Sequence, residues 1–218
     1  VPKYVNPLKT DPNAALRRGY TLAIGALPAL QLQMHLTDAT DCLIKASVME
    51  EDVEMRDPET RRNAIRALLQ LTTTLGLVAF NKPTPPPPPT PTPPPAATEE
   101  NGDANATPPP QQTLPAVVGV DSALYVRMVE AMLAAMHDYQ TDNRGDVGSW
   151  VREAAIGCLL PMLALAVPPS TASVDITDGA IEAKEDPSAA AEREALSTAL
   201  PQLVARFVEL LAQQANEK

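Results

Sequence analysis

The chain has 218 residues, 27 of them acidic and 17 basic, for a formal net charge of −10. That balance argues against a nucleic-acid footprint, which needs clustered Lys and Arg to displace counterions from phosphates. Aromatic residues make up only 3%, whereas Ala (34) and Leu (25) together fill more than a quarter of the chain. Both are strong helix formers, so the composition predicts an all-α protein.

No uninterrupted apolar run reaches the roughly 20 residues that a bilayer span requires, and the opening VPKYVNPLKT lacks the charged-then-apolar layout of a signal peptide. The expectation is a cytoplasmic chain without a membrane span. Cys42 and Cys158 lie in apolar helical surroundings, which suits free thiols better than a disulfide framework. The absence of an initiator Met and the uncapped close, LLAQQANEK, predict an excerpt of something longer.

In chain order, Asp11-Pro12 opens a helix in which Leu16, Tyr20, Ala23, Ile24 and Leu27 recur at helical spacing until Pro28. A shorter helix is expected from Thr37 to about Met49. Asp57-Pro58 repeats the cap-plus-proline start, and Ile65, Leu68, Leu69, Leu71 and Leu75 form a stripe as far as Gly76. Thirteen of the 24 prolines then fall between Pro83 and Pro110, a stretch with too little to bury to recover its ordering entropy. Beyond it Asp121 caps a run through Tyr139, the turn TDNRGDVG comes next, and Ser149 to Val167 is helical again with a kink expected at Pro161. The expected organisation is helices over 1–80, a proline-rich disordered insertion over 81–118, a helix pair over 119–167, a polar loop over 168–194, and a further unit begun over 195–218.

Three helices align without gaps: LRRGYTLAIGAL from Leu16, TRRNAIRALLQL from Thr60 and VREAAIGCLLPM from Val151. Each has Arg in second place (Arg17, Arg61, Arg152), a small residue in eighth (Ala23, Ala67, Cys158), and large apolar residues in ninth and twelfth. Small residues let neighbouring helices approach while large ones fill the gap between layers, as in a stack of helix pairs that cannot bury their faces alone. The 44-residue step from Arg17 to Arg61 fits HEAT or armadillo units. An Asp six residues before the Arg, Asp11 to Arg17 and Asp146 to Arg152, is expected to take amides of the following helix and pair with the Arg of an adjacent unit. Asp57 stands only four residues before Arg61, so a place in that ladder is not expected for it.

The stretches RRGYTLAIGALPAL (Arg17 to Leu30), ETRRNAIRAL (Glu59 to Leu68), MHDYQTDNRGDVGSWVREAA (Met136 to Ala155) and AQQANEK (Ala212 to Lys218) resemble the later HEAT repeats of the tubulin-folding cofactor D family. The resemblance implies an all-α solenoid that holds β-tubulin during heterodimer assembly and disassembly, works with an Arf-like small GTPase and with tubulin cofactors C and E, and is cytoskeleton-associated. Two other readings of the same repeat remain open: a transport adaptor of the importin kind, and a purely structural scaffold segment.

Signals for chemistry are weak. Asp142, Asp146 and Glu153 occupy positions 1, 5 and 12 of a hypothetical calcium loop, but Arg144 takes the third ligand place and Val147 the required glycine. Neither His35 nor His137 has a second ligand at zinc spacing, and neither a phosphate loop nor a nucleophile elbow occurs. The expectation is a protein without catalytic, metal or cofactor residues. Its named residues are structural, Asp11, Arg17, Arg61, Asp146, Trp150 and Arg152, with Trp150 expected as a core anchor. Arg18, Arg62, Arg66 and Glu153, which come directly after the repeat arginines or stand one turn on, are the candidate partner contacts.

Overall fold

A computed structural model describes residues 1–80, 118–168 and 187–216. The proline-rich segment lies outside the described residues, as does most of the expected polar loop. The chain divides into two units, and the larger, residues 1–81 with 117–218, carries every described helix.

Eight α-helices occur among the described residues: α1 (Pro2–Thr10), α2 (Ala14–Gly25), α3 (Ala29–Gln33), α4 (Leu36–Ser47), α5 (Pro58–Leu75), α6 (Ser122–Ala135), α7 (Gly148–Leu165) and α8 (Pro187–Asn216). Their starts arise from local chemistry. Asp57 and Asp121 accept the amides of Thr60 and Leu124, each satisfying a donor that the first helical turn leaves orphaned. Gly76, at φ 68°, ends α5 in a backbone conformation that side chains disfavour. The start of α2 differs from expectation. Asn13 caps it by accepting from the amides of Ala15 and Leu16, while the Asp11 carboxylate accepts from the Asn13 amide. Two further differences concern extent: α1 precedes the first expected helix, and α8 begins at Pro187, inside the stretch expected as loop to 194. Pro161 lies within α7 without ending it.

The helices form an all-α solenoid of two layers. Helices α2, α5 and α7, the three that carry the repeat arginines, lie side by side, and α1, α4, α6 and α8 succeed one another in the second layer. Each of α1/α2, α4/α5 and α6/α7 packs as a pair across the layers. The shared seam is apolar: Ile24, Leu43, Ile65, Leu68, Met128, Met132, Leu133 and Leu159 are fully buried. At roughly 1.5–3 kcal/mol for each such side chain, this seam is the dominant stabilising contribution. Close approach between α2 and α5 occurs at Gly25, where an added Cβ would stand 3.0 Å from the Cα of Ala67. Tyr125 crosses the seam and donates its hydroxyl to the Met162 carbonyl at 2.9 Å, and burial raises its ionisation far above the usual range.

Between α5 and α6 the chain is pinned on both sides of the proline-rich segment. Val78 donates to the Val120 carbonyl at 3.0 Å, and Val120 to that of Gly76 at 2.8 Å, making a short parallel bridge. The adjoining turn Val78–Phe80 packs on α8.

The absence of a long apolar run does not carry through to helix hydropathy. Among the described residues α7 and α8 are long and apolar enough, by length and composition, to cross a membrane. Alanine and scattered leucines raise the mean without making a run. In α7 part of the apolar surface is buried in the stack, as at Val151, Ala155 and Leu159, while Leu160 is exposed.

Candidate functional site

The charged groups that the repeat arginines gather form a ladder along the edge of the layer α2, α5, α7. Its rungs differ from those expected. Arg17, only 3% exposed, donates to the carbonyl oxygens of Asp11 at 2.8 Å and Met55 at 3.1 Å and to the Met55 sulfur, with no carboxylate among these partners. Its neighbour Arg18 makes the ionic step to the next pair. Arg18 grips Asp57 with Nε at 2.8 Å and Nη2 at 2.7 Å, and its remaining Nη reaches Glu59. This fork-on-carboxylate geometry is the strong, orientation-fixing form of an ion pair.

Asp57 is thus central to the ladder, contrary to the sequence expectation. It also caps α5 through the Thr60 amide. Burial pushes its carboxyl upward, but the bonds from Arg18 and Thr60 outweigh that and hold it below the usual carboxylate range.

The second step runs from Arg61 to Asp138, a residue that sequence reasoning did not single out. Arg61 Nε donates to Asp138 Oδ2 at 2.7 Å, with both side chains buried, and Nη2 donates to Gln140 Oε1 at 2.5 Å. Arg61 Nη1 is buried with no partner among the described residues. The Arg61 side chain also lines a cavity of about 30 Å³, shared with Arg17, Asp57 and Thr60, which is polar and large enough for one water. Asp138 was hidden because it lies at the end of α6, outside the aligned helices and fourteen residues before Arg152. The signal that could have found it is its place in the turn on which the next helix docks.

Asp146 and Arg152 pair with each other at 2.6 Å within one unit, and not across units. Asp146 also accepts the Ser149 amide at 3.0 Å, so it serves the start of α7 as expected, and these bonds hold its carboxyl low. Arg152 donates to the Asp138 carbonyl and lies 4.5 Å over the Tyr139 ring. The turn itself is a minimal hairpin, β1 (Thr141–Asp142) against β2 (Gly145–Asp146), with Gly145 at φ 101°. Gly148 serves for closeness, not for an unusual dihedral: a Cβ there would stand 2.3 Å from the Asp138 carbonyl oxygen.

Trp150 is not a core anchor. It is half-buried at the hairpin, with the Arg144 guanidinium 5.0 Å over its ring, and Arg144 also pairs with Asp142 at 2.7 Å and approaches Glu59 at 3.8 Å. A residue directly after a turn glycine and serine faces the rim, where the indole is covered by a cation and not by the seam.

The candidate contact residues fall into two groups. Arg18 is committed to Asp57 and Glu59, so it does not offer a free charge. Arg62, Arg66 and Glu153 lie on the outward side of α5 and α7 with no ion pair among the described residues, Arg66 and Glu153 exposed and Arg62 half-buried with its Nε enclosed and unpartnered. Cys42 and Cys158 are buried free thiols. Burial raises the Cys42 thiol to about 11 and also raises Cys158, the latter against an opposing pull from the nearby Arg66.

No family model matches the chain, and no solved structure matches it. Among curated proteins, the tubulin-specific chaperone D of Dictyostelium discoideum is 25% identical over 166 residues, which cover 75% of this chain and 10% of that protein. The chain therefore spans about a tenth of the length of the relative that it matches, and the relation is a distant one.

Proposed function

We propose that this chain is a HEAT-type segment of a tubulin-folding chaperone resembling cofactor D, acting in the cytoplasm as a protein-binding scaffold for β-tubulin. The observation that supports the reading is the match to a tubulin-specific chaperone over three quarters of the chain, on a two-layer stack whose repeat arginines occupy one edge. A solenoid of this kind works by surface area: each added pair extends one docking wall, and affinity accumulates over many shallow contacts. In this reading the segment forms and breaks no covalent bond. Its described arginines serve ion pairs, carbonyl contacts or an open face, and any nucleotide chemistry belongs to tubulin or to an Arf-like GTPase that works alongside cofactors C and E.

The test is capture of purified αβ-tubulin by the immobilised 218-residue chain, with actin and an importin-type cargo as controls. Retention of tubulin above both controls is the expected outcome. Equal retention of all three, or retention of the cargo alone, overturns the tubulin assignment.

A further inference from the structure

Among the described residues, the guanidinium groups are largely spent within the fold. Arg18, Arg61, Arg127, Arg144, Arg152 and Arg206 each sit against a carboxylate, and Arg17 and Arg56 donate to backbone carbonyls. Arg62 and Arg66 do neither. In a chain with 27 acidic residues against 17 basic ones, two guanidiniums one helical turn apart that no described residue claims are a departure that pairing among the described residues does not explain. Arg62 is half-buried with its Nε enclosed and without an acceptor, so the described fold itself supplies no partner for that nitrogen.

We propose that the outward face of α5 binds a short acidic segment of a partner protein in extended conformation, with one carboxylate on Arg62 and the next on Arg66. The proposal rests on the protein-binding reading above and specifies the partner's chemistry. Side chains one turn apart on a helix are separated by about 5–6 Å, and alternate side chains of an extended chain by about 7 Å, so carboxylates on residues i and i+2 meet both guanidiniums. Among the described residues, approach is open on the α7 side. Gly157, which the repeat alignment sets beside Arg66, has nothing within 4 Å of where a Cβ would stand.

Two neighbours define the limits of the site. Arg18, which the same alignment sets beside Arg62, is neutralised by Asp57 and Glu59 and extends no positive field toward α2. Glu153 is on the other side, exposed and unpaired, and repels an approaching carboxylate. The net charge of −10 opposes a long polyanion, which must lie across acidic surface as well, but spares a short segment that touches only the pair.

The experiment uses the whole 218-residue chain and a fluorescein-labelled peptide with glutamate at alternate positions, monitored by anisotropy. Binding is expected to weaken with salt, to be absent for the glutamine version of the peptide, and to fall by about tenfold in Arg62→Glu/Arg66→Glu. Glu153→Gln is expected to tighten it about two- to threefold. If the double reversal loses its helical circular dichroism, Arg62→Gln and Arg66→Gln singly replace it, each with a partial loss expected. Unchanged affinity in folded variants overturns the proposal, as does a single-stranded oligonucleotide of equal charge binding more tightly through the same arginines. Tubulin capture that is indifferent to both arginines sinks this site and leaves the scaffold reading intact. Peptide binding without tubulin capture does the reverse.

Discussion

Removing the Asp138 carboxylate should be among the most damaging single changes in the described part of the chain. In Asp138→Ala, Arg61 keeps its charge and its 2% exposure but loses, among the described residues, the only carboxylate that touches it, with Nη1 already unpartnered. The Gln140 amide loses its acceptor at 3.1 Å as well. Breaking one side of a buried pair costs about 3–5 kcal/mol, against about 0–1 kcal/mol for an exposed pair. Since whole domains are stable by only about 5–15 kcal/mol, the loss is a large share of the total. For a folded part of this size it corresponds to a melting shift of roughly 10 °C. Urea unfolding monitored by circular dichroism, with the two single variants and the Arg61→Met/Asp138→Leu double variant, measures it. The double variant should recover most of the loss, because it removes the charge along with its partner. A loss below about 1 kcal/mol in Asp138→Ala would show that the rung behaves as a surface pair and would refute the argument.

The same geometry carries three other expected outcomes. Gly148→Ala should destabilise by about 1–3 kcal/mol, since its Cβ meets the Asp138 carbonyl oxygen at 2.3 Å, whereas Gly157→Ala, with open space around it, should be neutral or stabilise by up to about 1 kcal/mol; thermal melts of the two variants decide. The Asp57 carboxyl is held below its ordinary value in the folded state, so its contribution is present above the unfolded value near 4 and fades as the pH falls through the lower folded value; Asp57→Asn should flatten the acid limb of a stability–pH curve. Replacing residues 82–116 by a short Gly/Ser linker should preserve the fold and raise stability by about 1–2 kcal/mol, because the Leu77–Val120 bridge fixes the ends and a shorter loop is less costly to close; an unfolded deletion variant would contradict this.

Reading along the chain was enough to specify the longer helices, though not α1 or α3, together with the two aspartate caps at Asp57 and Asp121, the stop at Gly76, and the juxtaposition of the three Arg-led segments. These are local or periodic properties, set by which side chains recur every three or four residues and by the chemistry of helix ends. The same reading marked Arg62, Arg66 and Glu153, which stayed on the outer face because an alignment of helices preserves the angle of each position about its axis. Which carboxylate Arg18 and Arg61 meet was settled by packing alone. Arg18 takes Asp57 and Arg61 takes Asp138, residues 39 and 77 positions away, because docking α2 on α5 and α5 on α7 brings the start of one helix beside the preceding turn of another. That docking also left Trp150 at the rim and put glycine at 148 for closeness rather than for dihedral freedom. Spacing within one helix carries no information about the turn that docks on it, so the ladder was legible as a requirement for acidic partners and not as a choice among them.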